Sequence, residues 1–240
     1  MYKPEVLGIV PARGGSKSIA HKNIVPLCGR PLLSYTIEAA RTSSLLSRCV
    51  LSSDDEEISD VARQLGLEVP FMRPAELASD EAPTLPVLQH VLETLDQNEG
   101  YRPEVVVLLQ PTSPLRSAAH IDACIRLLLD GDADSVLSVQ RVPHPFNPLS
   151  VMRLQDGYML PFAAGEGTRL LRKQDKPAVY ARNGAVYAMR RETLMVQHSL
   201  FGAHSQAYVM SERDSLDIDS PDDLWLAEAV MEKMARETRD

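Results

Sequence analysis

Two clusters of residues have the types and spacing for phosphate chemistry. The first is Pro11-Ala12-Arg13-Gly14-Gly15-Ser16-Lys17, running on to His21-Lys22-Asn23. Glycines let backbone N–H groups come close to anionic oxygens, and Arg13, Lys17 and Lys22 supply positive charge, so the stretch suits a polyphosphate. It is not a Walker A loop, and it lacks the GxGxxG spacing of dinucleotide binders. Taken on composition alone, an ordinary solvated loop remains open. The second cluster is Asp217-Ile218-Asp219. In an extended segment, residues i and i+2 point the same way. Two hard carboxylate oxygens on one side suit Mg²⁺, which keeps several waters and bridges phosphates. Acidic residues just ahead of a helix also complement its dipole, and that alternative stands beside the metal.

Other chemistries find little support. There is no G-x-S-x-G nucleophile motif. Cys28, Cys49 and Cys124 are far apart and fit neither a disulfide framework nor a CxxC site. The histidines, His21, His90, His120, His144, His198 and His204, show no metal-ligand spacing.

The elements that must position the two clusters are legible. Val6 to Val10 (VLGIV) and Val105 to Leu109 (VVVLL) read as strands buried on both faces, with Cys49 to Ser52 and Ser135 to Val139 as further strands. Helices are expected from Pro31 to about Arg41, Asp54 to Leu65, Pro83 to Leu95 and Ser117 to Leu129. Strands alternating with helices imply an α/β fold, a mainly parallel sheet with helices on both faces. Ligands bind such sheets outside the carboxyl ends of the strands, so the loops after Val10, Ser52 and Leu109 are the informative ones. The rhythm breaks near residue 140, where Pro143, Pro145, Pro148 and Pro161 cluster. We read about 140–182 as an excursion of hairpins or an extended arm, inserted within a single 1–240 domain. Ala185 to Met189 returns to the sheet. Ser220 as N-cap, Pro221 at the first helical position and Asp223 as the far half of a capping box open a final helix.

Composition bounds the class. The chain has 240 residues, 44% hydrophobic and 24% charged, which excludes wholesale disorder. The formal charge of -8 argues against a nucleic-acid-binding surface. No apolar run approaches a membrane span and no secretory signal opens the chain, so a cytoplasmic protein is expected.

VPARGGSKSIAHKNIVPLCGRPLLSYTIEAA closely resembles the N-terminal signature of the acylneuraminate cytidylyltransferases, the CMP-sialic acid synthetases. Arg13, Gly15, Ser16, Lys17, Lys22 and Asn23 match its pattern; Ser18 stands where a glycine is usual. Further blocks follow in family order: Arg73-Pro74-Ala75-Glu76-Leu77-Ala78-Ser79-Asp80, Gln110-Pro111-Thr112-Ser113-Pro114-Leu115-Arg116, Arg182-Asn183-Gly184-Ala185-Val186-Tyr187, and Asp217-Ile218-Asp219. Together they span nearly the whole chain.

The resemblance implies a Rossmann-like nucleotidyltransferase fold with a small dimerisation arm. It implies CTP and a nonulosonic, sialic-type acid as substrates, with Mg²⁺ as cofactor and a homodimer as the assembly. Arg13, Lys22 and Asp217 are then the catalytic candidates, and Asp217 and Asp219 hold the metal. Nucleotide binding falls to Arg13, Gly15, Ser16, Lys17, Lys22 and Asn23, with Arg73 and Asp80 in the segment that resembles the cytosine-contacting loop. Sugar binding falls to Gln110, Arg116, Arg172, Tyr180 and Arg182, with a structural role for Arg116 standing beside the sugar one; the acceptor's carboxylate calls for a cation, and arginine suits it. Lys173 precedes Gln174 where arginine is common. Two other readings are weighed: a guanylyl- or uridylyltransferase acting on a sugar 1-phosphate, and a catalytically silent nucleotide-sugar binding protein.

Overall fold

The computed structural model describes residues 4–79, 82–163 and 176–237. A 6-stranded sheet forms its centre, built from β1 (Val6–Pro11), β4 (Arg48–Ser52), β5 (Val105–Leu108), β6 (Ser135–Arg141), β9 (Tyr180–Arg190) and β10 (Ser205–Met210). The spatial order is β10-β6-β9-β5-β1-β4. β1 pairs in parallel with both β4 and β5, and β10 with β6; β9 alone runs against its neighbours. The sheet is thus mainly parallel, as its sequence runs imply, with one strand reversed at its middle.

Side chains alternate along the strands, so the buried runs feed two cores. On one face Val6 and Val10 of β1 and Val105 and Val107 of β5 pack against α1 (Leu32–Thr42), α2 (Glu56–Gln64) and α4 (Ala118–Asp130). On the other, Leu7, Ile9, Val106 and Leu108 pack against α3 (Thr84–Glu99) and α5 (Arg191–Met195). A third, smaller cluster joins Leu27 and Leu32 to Ile218 and to Ala227 of α6 (Pro221–Glu237). Leu27 lies in the short pairing of β2 (Pro26–Leu27) with β3 (Arg30–Pro31).

Local chemistry sets the helix ends. Asp55 caps α2, its carboxylate accepting from the Ile58 N–H. At α6, Ser220 Oγ accepts from the Asp223 N–H, and the Asp223 carboxylate accepts from the Ser220 and Asp219 N–H groups. This is the capping box that the Ser220–Asp223 spacing predicts, and it fixes the backbone of Asp219. The described part of 140–182 contains a hairpin, β7 (Met152–Gln155) with β8 (Tyr158–Pro161), whose residues are largely exposed.

Candidate functional site

A cleft of about 640 Å³ opens at the carboxyl ends of β1, β4 and β5. Its lining includes Arg13, Ser16, Lys17, Lys22, Asn23, Arg73, Gln110, Asp217 and Asp219. The structure therefore gathers residues separated by up to about two hundred positions into one place, where open α/β sheets bind ligands.

The phosphate-type loop is pinned at several points. The Gly14 N–H donates to Asp54 Oδ1, and the Ala12 N–H to the Ser52 carbonyl. A Cβ on Gly14 would stand within 2.9 Å of Asp55 Cβ, whereas one on Gly15 would meet nothing within 4 Å. Gly14, not the motif-matching Gly15, is the sterically required glycine, and Gly15 does not line the cleft. Asn23 is buried and its amide donates to the Arg13 carbonyl at 2.9 Å, tying the two ends of the loop together.

Arg73 is buried at the end of β4, where its guanidinium donates to the hydroxyl and the carbonyl of Ser52. Burial lowers its pKa from the ordinary arginine value; Asp54 opposes that shift and the nearby Arg13 charge adds to it.

Gln110 follows β5 and faces the cleft. The Ile218 N–H donates to the Thr112 carbonyl at 2.8 Å, which lays the Asp-Ile-Asp segment against the Gln110 loop. Ile218 is wholly buried while Asp217 and Asp219 line the cleft, as an alternating extended segment requires. Burial raises the Asp217 carboxyl above the usual carboxylate value. Asp219 and Asp223 add to this; the Thr112 hydroxyl and the Lys22 ammonium oppose it. Asp217 Oδ1 is buried with no hydrogen-bond partner among the described residues. A desolvated carboxylate oxygen left unpaired is costly, and a cation is its natural complement. Among the described residues no group of three or more His, Cys, Asp or Glu is arranged to hold a metal. Two carboxylates completed by phosphate and water oxygens fit Mg²⁺.

Other expected site residues lie elsewhere. Arg116 is 3% exposed and donates to the carbonyls of Gln110 and Ala185 and to the Thr36 hydroxyl. It braces the Gln110 loop from below through its two terminal nitrogens, and it does not line the cleft, which fits a structural role better than direct contact with a sugar. Tyr180 is exposed at the start of β9, and Arg182 stacks on Phe201 with its guanidinium carbon 4.7 Å from the ring centroid. Neither lines this cleft. Asp80 and Arg172 lie outside the described residues.

The structure also explains Asn183 and Gly184, between the positions named from sequence. Asn183 is buried; it accepts from Ser138 Oγ at 2.6 Å and donates to Ser215 Oγ at 2.8 Å. It links β6, β9 and the segment leading to Asp217. Gly184 has φ +73°, beside a break in the β6–β9 register between Leu137 and Val139. A glycine inside an apolar strand pattern is the signal that marks such a bulge.

Comparisons with known proteins show the family and the fold. The cytidylyltransferase family profile matches residues 7–238. Post-translational flagellin modification protein B of Campylobacter coli is 30% identical over 237 residues, covering 98% of this chain and 99% of that one. Pseudaminic acid cytidylyltransferase of Campylobacter jejuni is 32% identical over 226 residues, covering 93% and 95%. N-acylneuraminate cytidylyltransferase of Escherichia coli is 31% identical over 239 residues, covering 99% of this chain and 55% of that one, so the chain spans about half that relative's length. Among solved structures, a CMP:2-keto-3-deoxy-manno-octonic acid synthetase complexed with CTP superposes with a TM-score of 0.71 at 15% identity, covering 96% and 99%. That last likeness speaks to the fold, which is that of the Rossmann-like nucleotidyltransferases. With its profile matched from strand β1 to the end of α6, the chain belongs to the cytidylyltransferase family and is a nucleotidyltransferase of the acylneuraminate type.

Proposed function

We propose that the protein transfers a cytidylyl group from CTP to the anomeric hydroxyl of a nonulosonic acid, giving a CMP-sugar and pyrophosphate. The observation that carries this reading is one cleft in which Arg13, Lys17 and Lys22 share the lining with Asp217 and Asp219. Cations and a carboxylate pair around one opening are what a metal–triphosphate needs.

The hydroxyl oxygen attacks the α-phosphorus, the bond from that phosphorus to the oxygen bridging it to the β-phosphate breaks, the oxygen leaves within pyrophosphate, and the hydroxyl proton passes to solvent water. The chain's task is alignment and charge stabilisation. Arg13, Lys17 and Lys22 hold the phosphate oxygens. Asn23 keeps the loop closed through the Arg13 carbonyl. Arg73, with Asp80 from the same segment, reads the base. Gln110 orients the acceptor. Asp217 and Asp219 would hold Mg²⁺, which when bound stabilises the departing pyrophosphate and acidifies the attacking hydroxyl.

Arg172, Tyr180 and Arg182 are assigned to the acceptor's carboxylate side, with a second copy of the chain completing that region. Two exposures support the dimer: Leu154 on β7 is 77% exposed and Tyr158 on β8 is 74% exposed, an apolar arm in want of a partner. No helix among the described residues is long and apolar enough to cross a membrane. We assign the reaction to the cytoplasm, where CTP is made.

The test is pyrophosphate release with Mg²⁺, crossing CTP, UTP, GTP and ATP against nonulosonic acids and sugar 1-phosphates. Release with CTP and a nonulosonic acid alone supports the proposal and names the sugar. Release with GTP or UTP and a sugar 1-phosphate overturns it.

A further inference from the structure

The Lys22 ammonium already has partners in this cleft. It donates to Asp219 Oδ1 at 3.0 Å and to the Ile218 carbonyl at 3.2 Å. The lysine side chain is 16% exposed and its aspartate partner 75%. The cation is thus drawn into the wall, and one oxygen of the carboxylate pair is taken by a charge of the chain itself.

We propose that Lys22 is a latch on the metal site: it holds the Asp219 side until the triphosphate draws the ammonium away and frees the carboxylate. This rests on reading Asp217 and Asp219 as the metal pair. Three observations favour a movable contact over a fixed one. Lysine is a point charge on a flexible stem, able to exchange one oxygen partner for another. An ion pair with so exposed a partner is weak and cheap to break. The backbones on both sides are held independently of it. Lys22 opens the short turn Lys22–Ile24, whose Asn23 is bonded to Arg13, while Asp219 is bonded to Asp223 and Ile218 to Thr112. Only the lysine side chain has to move.

The latch also answers a charge problem. Asp217 and Asp219 line one cleft, and Lys22 is the cation bonded to Asp219 there. A free divalent ion must therefore displace Lys22, whereas a metal arriving with nucleotide finds the ammonium a new partner. Metal and nucleotide binding become positively coupled through one side chain, each raising the other's affinity.

The experiment is Mn²⁺ titration by electron paramagnetic resonance, without nucleotide, on the full chain. It compares wild type, Lys22→Met, Lys17→Met and the double variant Asp217→Asn plus Asp219→Asn, each checked by circular dichroism. Lys22→Met is expected to bind Mn²⁺ about five- to tenfold more tightly, the effect of removing one nearby cation from a partly solvated site. Lys17→Met should gain clearly less, and the double variant should not bind. Equal gains in both lysine variants overturn the latch, because general charge would then explain them. Unchanged or weaker binding in Lys22→Met overturns it too, since Lys22 would then be holding Asp219 in place for the metal. Absence of Mn²⁺ binding in every protein, with turnover surviving chelation, removes the metal pair itself, an outcome distinct from either.

Discussion

The side-chain amide oxygen of Gln110 fills the space beside Gly184 that a methyl group would need. The glycine of β9 therefore does two things: it permits a backbone turn at φ +73°, and it lets the cleft-facing amide lie close against the strand.

Gly184→Ala should disturb stability and acceptor binding together. Left-handed backbone costs a residue with a Cβ about 1–2 kcal/mol, before the collision with Gln110 is counted. For a chain of this size each kcal/mol lowers Tm by about 2–4 °C. Displacing Gln110 should raise the acceptor KM about five- to tenfold, the worth of roughly one hydrogen bond, while the CTP KM stays nearly constant. Thermal melts and steady-state kinetics read both effects. Truncating Gln110 in the Gly184→Ala background should recover part of the lost Tm, because the two residues are in contact.

Asp122 on α4 predicts an acid limb of stability. It accepts from the hydroxyls of Ser43 and Ser44 at 2.5 Å and from the Ser44 and Leu45 N–H groups, so it pins the chain between α1 and β4. Burial raises its carboxyl, but these donors outweigh burial and the net shift is downward. A depressed folded-state value means the stabilisation is full above the ordinary aspartate value of about 3.9 and is lost as pH falls through the folded value. Asp122→Asn should cost about 1.5–3 kcal/mol at neutral pH, the range for hydrogen bonds to a charged group. Its deficit should shrink in acid. Urea unfolding from pH 7 down to pH 3 checks this; a deficit constant across that range would contradict it.

Local signals carried most of the fold, and distant partnerships did not announce themselves. The VLGIV and VVVLL runs, and the Ser220–Asp223 box, act within a few residues, so their spacing alone identifies β1, β5 and the start of α6. The direction of β9 is different: a buried apolar run reads alike in either sense, and only pairing shows it antiparallel to β5 and β6. The bracing contacts of Arg116 are hidden for the same reason. Its acceptors come from Thr36, Gln110 and Ala185, on three separate elements, and no spacing reveals that a motif arginine points inward. Gly14 and Gly15 are indistinguishable as letters; the approach of Asp55 separates them. The cleft was legible because the loops after β1, β4 and β5 follow from topology.

Replacing Asp217 and Asp219 together by asparagine should separate activity from stability. Turnover with Mg²⁺ should fall by at least about a hundredfold, the usual effect of losing one aimed electrostatic group in a reacting site. Stability should hold or rise, because the variant no longer buries a carboxylate oxygen without a partner, the amide oxygen at position 217 can still accept from Thr112, and the lost ion pair with Lys22 has a largely exposed carboxylate partner. Pyrophosphate release and thermal melting on the same preparation decide it. Lost turnover together with a lowered Tm would point to a structural carboxylate pair.

Lys22→Ala tests where the lysine acts in the reaction. In-line transfer moves negative charge onto the phosphate oxygens as the bond to pyrophosphate breaks. A mobile ammonium that reaches those oxygens interacts more strongly with the transition state than with bound CTP. The variant should therefore lose about a hundredfold in kcat at saturating CTP and Mg²⁺, while the CTP dissociation constant measured at equilibrium changes by about threefold or less, as uniform binding contributes little. The geometry sets this expectation, since Lys22 lines the same cleft as Arg13 and Lys17, which remain to hold the ground-state phosphates. Single-turnover kinetics separate chemistry from product release. A loss confined to the KM for CTP would mean that Lys22 binds the nucleotide uniformly and contributes nothing extra as the bond breaks.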